Sequence, residues 1–193
     1  TKGGLMNIFV LDNDPIVAAQ SVCNKHVVKM ILESGQMLST AHRVLDGTQW
    51  TDYSKNGRKI KRWKVDDERE DYLWKASFVG HPCTVWTMVN EINYTWHWQH
   101  AYALCKEYTE RYGKVHSSED LIKKLRYVPN ALSVIFPHSM TNFAQAMPDK
   151  YKVKDNAVQA YRNYYNGEKG YFAKWPDGKT PDWWDPVQNL MTV

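Results

Sequence analysis

The sequence predicts a mainly α-helical α+β domain: a compact helical body with a short N-terminal strand and one β-hairpin. Three observations predict it. Residues 16–45 and 83–112 repeat apolar side chains at helical spacing and end on Asp46-Gly47 and Gly113. Asn56-Gly57, a favoured tight turn, separates two runs rich in β-formers. A chain of 193 residues with no repeat, low-complexity tract or long linker fits a single domain, residues 1–193, able to bury a real core.

Taken in order, Thr1-Lys2-Gly3-Gly4-Leu5 reads as a leader or cloning remnant, and Met6 as the native first residue. An apolar run over residues 8–11 reads as a short buried strand. Asp12-Asn13-Asp14-Pro15 then turns the chain, with Asp14 as a helix cap and Pro15 at the first helical position. The helical pattern over 16–45 is expected to break near residues 21–24. Residues 48–54 and 58–65 form the hairpin, and residues 66–78 read as helical. After Gly80-His81-Pro82 a single helix is expected over 83–112, stopped by Gly113. Ser117 is the expected cap of the next short helix. Residues 129–148, with Phe136-Pro137-His138 among them, read as loop. Asp155 or Asn156 caps a helix through Tyr165, residues 168–175 are expected to form one more, and the Trp183-Trp184 tail to dock through its indoles.

The composition narrows the class further. Hydrophobic residues make up 43% of the chain, which excludes a disordered protein. No apolar run approaches the ~18 residues of a spanning helix, so no membrane partner is expected. The run at 7–11 is too short for a secretory signal. Three cysteines, Cys23, Cys83 and Cys105, are odd in number and widely spaced, which argues against a disulfide framework and for a reducing cytoplasm. The 9 Trp and 12 Tyr serve a core and can also stack on bases or sugars. A net charge of +4 permits a nucleic-acid partner without demanding one.

On a helical wheel, His26, Lys29, Glu33, Gln36 and Thr40 share one narrow sector, while Val27, Val28, Met30, Ile31, Leu32, Met37 and Leu38 cover most of the rest. A helix apolar around most of its girth is largely buried, so its polar strip must face water, a cleft or buried partners. As a solvent-facing strip it offers a Lys29–Glu33 contact worth a few tenths of a kcal/mol. As a cleft floor it gathers a carboxylate, an amine and an imidazole, a set suited to acid–base or amine chemistry. On the later helix Trp86, Asn90, Asn93 and His97 lie close to one face. They are either satisfied structural groups or the opposite wall of the same cleft, reading the edge of a base. Cys23/His26 and His97/His100 have ligand-pair spacing, but no CxxC or HExxH signature appears, and neither a metal nor any other cofactor is expected. Trp50, Arg58, Lys59, Lys61, Arg62 and Trp63 put cations and rings on the hairpin, as a nucleic-acid-contacting arm needs; the bland alternative is a solubilising exposed edge. The acidic Asp66-Asp67-Glu68 that follows blunts that positive field.

The runs from Met6 to Leu11 and from Lys25 to Glu33, with His81-Pro82-Cys83, the stretch from Ala103 to His116, Tyr161-Arg162-Asn163-Tyr164-Tyr165 and Phe172-Ala173-Lys174-Trp175, resemble small proteins of tailed phages and cyanophages often labelled pyrimidine-dimer DNA glycosylases. The resemblance spans nearly the whole chain. It implies a phage protein of DNA repair in the cytoplasm of an infected cell. A glycosylase of that label uses an N-terminal threonine amine and a helix glutamate; no threonine follows Met6, and no motif aligns Glu33 with that glutamate. The residues therefore lead to an expectation of their own: an enzyme acting on a nucleobase or its N-glycosidic bond in DNA. Glu33 would be the acid/base, Lys29 or Lys25 the amine, His26 their tuner, and Gln36, Asn90, Asn93, His97 and Trp86 the base-contacting set. The alternatives are a non-catalytic protein that captures a free nucleotide or a host factor, and a purely structural interaction protein. The oligomeric state is not legible in the sequence.

Overall fold

The computed structural model describes residues 6–133 and 139–186. Among them stand seven α-helices and one two-stranded antiparallel sheet, the mainly α architecture with a hairpin that the sequence predicts. The helices are α1 (Pro15–Ser21), α2 (Asn24–Asp46), α3 (Pro82–Thr87), α4 (Glu91–Tyr112), α5 (Glu119–Lys124), α6 (Asn130–Ser133) and α7 (Ala157–Glu168); the strands are β1 (Thr48–Tyr53) and β2 (Lys59–Lys64). Thr1–Leu5, read as a leader, and Phe136-Pro137-His138, read as loop, lie outside the described residues.

Helix α2 is the spine, packing on α3 and α4, while α1 packs on α4. The start of α1 is set where expected. Asp14 caps α1 by accepting from the N–H groups of Ile16 and Val17, and Pro15 fills the first position. The break at residues 22–23 is held open by Arg111 on α4, which donates to the Val22 carbonyl (2.9 Å) while pairing with the buried Glu107 (2.9 Å). Gly113 ends α4 at φ 67, the left-handed position that a side chain would strain. Gly35, mid-helix, admits the Trp74 ring: a β-carbon there would stand 2.8 Å from it. Trp183 and Trp184 do dock, edge-on around the buried Tyr165 at 5.8 and 6.3 Å. No helix among the described residues is long and apolar enough to cross a membrane.

Several elements depart from expectation, most of them because a polar side chain takes up backbone groups. Residues 8–11 are buried but form no strand. The Asn7 side chain accepts from the N–H groups of Ile8 and Phe9 (2.8 and 3.1 Å), Phe9 sits at φ 56, and the Leu11 N–H turns back to the Phe9 carbonyl. Over residues 66–78 only a short 3-10 turn forms, at Glu68–Asp71. The guanidinium of Arg43 takes the carbonyls of Trp63, Leu73 and Trp74 (2.9, 2.7 and 2.6 Å) and pairs with Glu70 (2.8 Å), so those carbonyls face a side chain rather than a helix N–H. The helix over 83–112 is two helices, because Asn90 caps α4 by accepting from Asn93 N–H (2.8 Å). Ser118, not Ser117, precedes α5, and the His116 ring accepts its N–H. Residues 168–175 extend α7 by one residue and then only turn. Asn156 caps α7 as expected.

Candidate functional site

Apart from the exposed Lys29, the polar sector of α2 meets two irregular segments rather than open solvent. Toward its N-terminal end it is covered by residues 6–11, and further on by residues 73–78. Thr40 is sealed under the second, its hydroxyl bonded to both the N–H and the carbonyl of Ser77. Toward solvent the exposed strip of α2 is Lys25, Val28, Lys29 and Leu32, about one residue out of phase with the sequence-based sector. Val28 and Leu32, placed in the core by periodicity, are therefore exposed, while His26 and Glu33 are buried and Gln36 is half-buried.

Glu33 is the centre of this arrangement. One carboxylate oxygen accepts the backbone N–H of Asn7 at 3.0 Å, and the other stands 3.5 Å from the Lys29 ammonium. Burial pushes its pKa up from the ordinary carboxyl value, against the pull of the Asn7 N–H and of Lys29. Cys83 lies near enough to feel the Glu33 charge, and its buried thiol is pushed up to about 12, so it is no thiolate nucleophile. The Asn7 amide bonds the Ala146 carbonyl (2.8 Å), and the Tyr161 hydroxyl accepts from Ala146 N–H (3.2 Å); the wall around Glu33 is thus anchored to α7 and to the loop before it.

His26 lies under this wall, stacked on Phe9 at 4.4 Å, with Nδ1 on the Tyr165 hydroxyl. Burial first, then the charges of Lys169, Lys29 and Lys25, hold its pKa down to about 3, so the ring is neutral. Lys25 reaches away from Glu33 to the Phe172 ring (4.7 Å). Of the two lysines singled out, Lys29 is the one that meets the carboxylate. Lys169, just beyond α7, has no sequence signal of its own. It sits half-buried 4.4 Å over Tyr164 and donates to that residue's hydroxyl (3.3 Å). Burial lowers its pKa below the ordinary lysine value.

The second set of candidates is occupied internally. Asn93 donates to the Trp86 carbonyl and the Thr141 hydroxyl (2.9 and 2.7 Å) and accepts Thr141 N–H. Asn90 caps α4, Trp86 is buried with its indole N–H on the Thr141 carbonyl, and His97 bridges Thr87 (2.7 Å) and Ser34 (3.1 Å). Because the Thr87 hydroxyl already donates to the Cys83 carbonyl, it must accept from His97 Nδ1–H, which leaves Nε2 to accept from Ser34. These residues knit α3, α4 and α2 together instead of facing a ligand. Their bonds are of the satisfied structural kind that the sequence left open beside the cleft-wall reading.

The hairpin stands exposed on both faces, and its register divides the candidates. Trp50 opposes Arg62 on one face; on the other Thr51 opposes Lys61, Tyr53 opposes Lys59 and Gln49 opposes Trp63. Arg62 also meets Asp52 at 3.5 Å, whereas Lys59 and Lys61 have no carboxylate within ion-pair distance among the described residues. Arg58 lies at the exposed turn. About 13 residues of α2 separate Glu33 from the foot of the hairpin, roughly 20 Å at the helical rise.

Among the described residues no group of three or more His, Cys, Asp or Glu could hold a metal ion. Grooves of about 500 and 530 Å³ lie elsewhere, between α1 and α4 and beside the start of α7. No family model matches the chain, and no match was found among curated proteins or solved structures.

Proposed function

We propose that this chain is a DNA-processing enzyme acting on a nucleobase or its N-glycosidic bond, in the manner of a glycosylase/lyase. The observation that carries the proposal is a buried carboxyl, Glu33, with a raised pKa, one oxygen anchored on the Asn7 N–H and the other facing the Lys29 amine. A carboxyl so placed can take a proton from the neighbouring ammonium and give it to a leaving base.

In that scheme Lys29 passes a proton to Glu33 and its free amine bonds to C1′ of the sugar. The glycosidic bond breaks with its electron pair on the base, which is protonated by Glu33. The regenerated carboxylate then takes a proton from the new C1′ ammonium and gives it to O4′ as the C1′–O4′ bond breaks and the ring opens, and an iminium remains on Lys29. His26, neutral and locked on Tyr165, fixes the floor beneath Lys29 rather than exchanging protons. The hairpin supports the reading as a two-stranded ribbon of the kind that enters a groove, with Lys59, Lys61, Tyr53 and Trp63 on one face. Its separation from Glu33 matches about six base pairs at 3.4 Å each. The resemblance to phage proteins labelled pyrimidine-dimer DNA glycosylases points the same way.

Glu33→Gln is the direct test. A glutamine still accepts the Asn7 N–H, so the fold persists while the proton donor is lost, and turnover on damaged duplex DNA should fall at least 100-fold. Retained turnover with an intact fold would remove Glu33 from the mechanism.

A further inference from the structure

Two lysines that the catalytic scheme leaves unused converge on one ring. Lys25, from the first turn of α2, stands 4.7 Å over Phe172; Lys169, from the turn after α7, stands 6.0 Å from the same ring centroid and 5.9 Å from that of Phe9. Neither has a carboxylate within ion-pair distance among the described residues. Lys29 already faces Glu33, and the carboxylate adjoining Lys169 in sequence, Glu168, stands 3.9 Å from Lys150. Lys25 and Lys29 are also like charges one helical turn apart, an arrangement that destabilises a helix unless an anion joins it. Beside this pair Tyr171 is 86% exposed, its ring held edge-on against Phe172 at 4.8 Å. An excess of ammonium groups at a half-buried aromatic floor, with a free π-face alongside, suits an anion that carries a flat ring.

We infer that Lys25 and Lys169 clamp a phosphate group, and that Tyr171 stacks on the base of the same nucleotide unit. The inference rests on reading the adjoining Lys29–Glu33 pair as a nucleic-acid site, and it names the subsite that would hold the substrate's phosphate next to the chemistry. The phosphate can belong to a DNA backbone or to a free nucleotide, and Lys25, Lys169 and Tyr171 bind either through the same contacts.

The test compares the whole chain with its Lys25→Gln/Lys169→Gln variant, using thymidine monophosphate by calorimetry and an abasic-site duplex by fluorescence anisotropy across a salt series. Lys169→Met, which keeps the apolar stem, stands in if glutamine disturbs packing, and circular dichroism checks the fold. Loss of at least tenfold in affinity in the double variant, with the salt slope on duplex lowered by about 1 and affinity kept in Lys169→Arg, supports the clamp. Monophosphate binding that the double variant loses, with no duplex binding by the wild type, keeps the clamp and discards DNA as the substrate. Duplex binding unchanged in the double variant, while Glu33→Gln still abolishes turnover, overturns the clamp and leaves the catalytic reading standing. Failure of the wild type to bind either probe overturns the clamp as well.

Discussion

Acidification from pH 7 to pH 5 should remove most of the stability of this fold, because four buried histidines are held neutral. His26, His97 and His100 have pKa values lowered to about 3 and His42 to about 4, with burial the leading cause in each. His42 is locked as a neutral tautomer: Arg69, a donor only, bonds Nδ1 (3.0 Å), so Nε2 donates to the Tyr94 hydroxyl (2.8 Å), which donates to the Leu125 carbonyl. His100, stacked on Trp96 at 5.3 Å, has no hydrogen-bond partner on either nitrogen. A folded-state value below the unfolded ~6.5 gives stability that is full above pH 6.5 and is lost as pH falls. At pH 5 the unfolded rings are nearly all charged and the folded ones nearly all neutral, so each costs about 2 kcal/mol relative to pH 7. Four together come to about 7–8 kcal/mol, against the roughly 5–15 kcal/mol of a typical domain. The raised Glu33 works in the opposite sense at lower pH, and the depressed Asp46 and Asp67 lose their share only near and below the ordinary carboxylate range. Urea unfolding followed by tryptophan fluorescence at pH 5, 6, 7 and 8 checks this. The midpoint should fall by more than half between pH 7 and 5, and His100→Phe should recover about one histidine's share. A midpoint flat over that interval would refute the reasoning.

Two further perturbations separate scaffold from surface. Arg43→Ala leaves three carbonyls and Glu70 without their partner and should cost about 3–5 kcal/mol in thermal unfolding, whereas a loss below 1 kcal/mol would show that the Arg43 bonds do not hold residues 63–74. Lys59→Gln/Lys61→Gln should leave stability within about 0.5 kcal/mol yet lower the salt slope of duplex binding by about 2, and an unchanged slope would detach the hairpin from DNA.

Local signals carried most of the fold. Asp14-Pro15, Asn56-Gly57, Gly113 and Asn156 each act through their own backbone, and each element starts or stops where the sequence places it. The largest miss comes from a side chain that recruits distant backbone. Arg43 reaches 20–31 residues along the chain to hold residues 63–74 out of a helix, and no window around residues 66–78 contains that information. Asn90 was legible as a polar residue on α4 but not as its cap, because the apolar periodicity runs on through the break. The site was half legible. Glu33 and Lys29 were readable as an i,i+4 pair, and the N-terminal segment that buries Glu33 was readable only as an apolar run. Phe172, with Lys169 and Tyr171 beside it, meets α2 only through the tertiary fold, which is why no sequence pattern exposed them.

Borohydride trapping on abasic-site and pyrimidine-dimer duplex DNA tests the central claim most directly, with the adduct mapped by peptide mass. The account predicts a covalent adduct on Lys29 that disappears in Lys29→Met. An adduct on another amine, or none on either duplex, would contradict the assignment of Lys29 and Glu33 as the reacting pair.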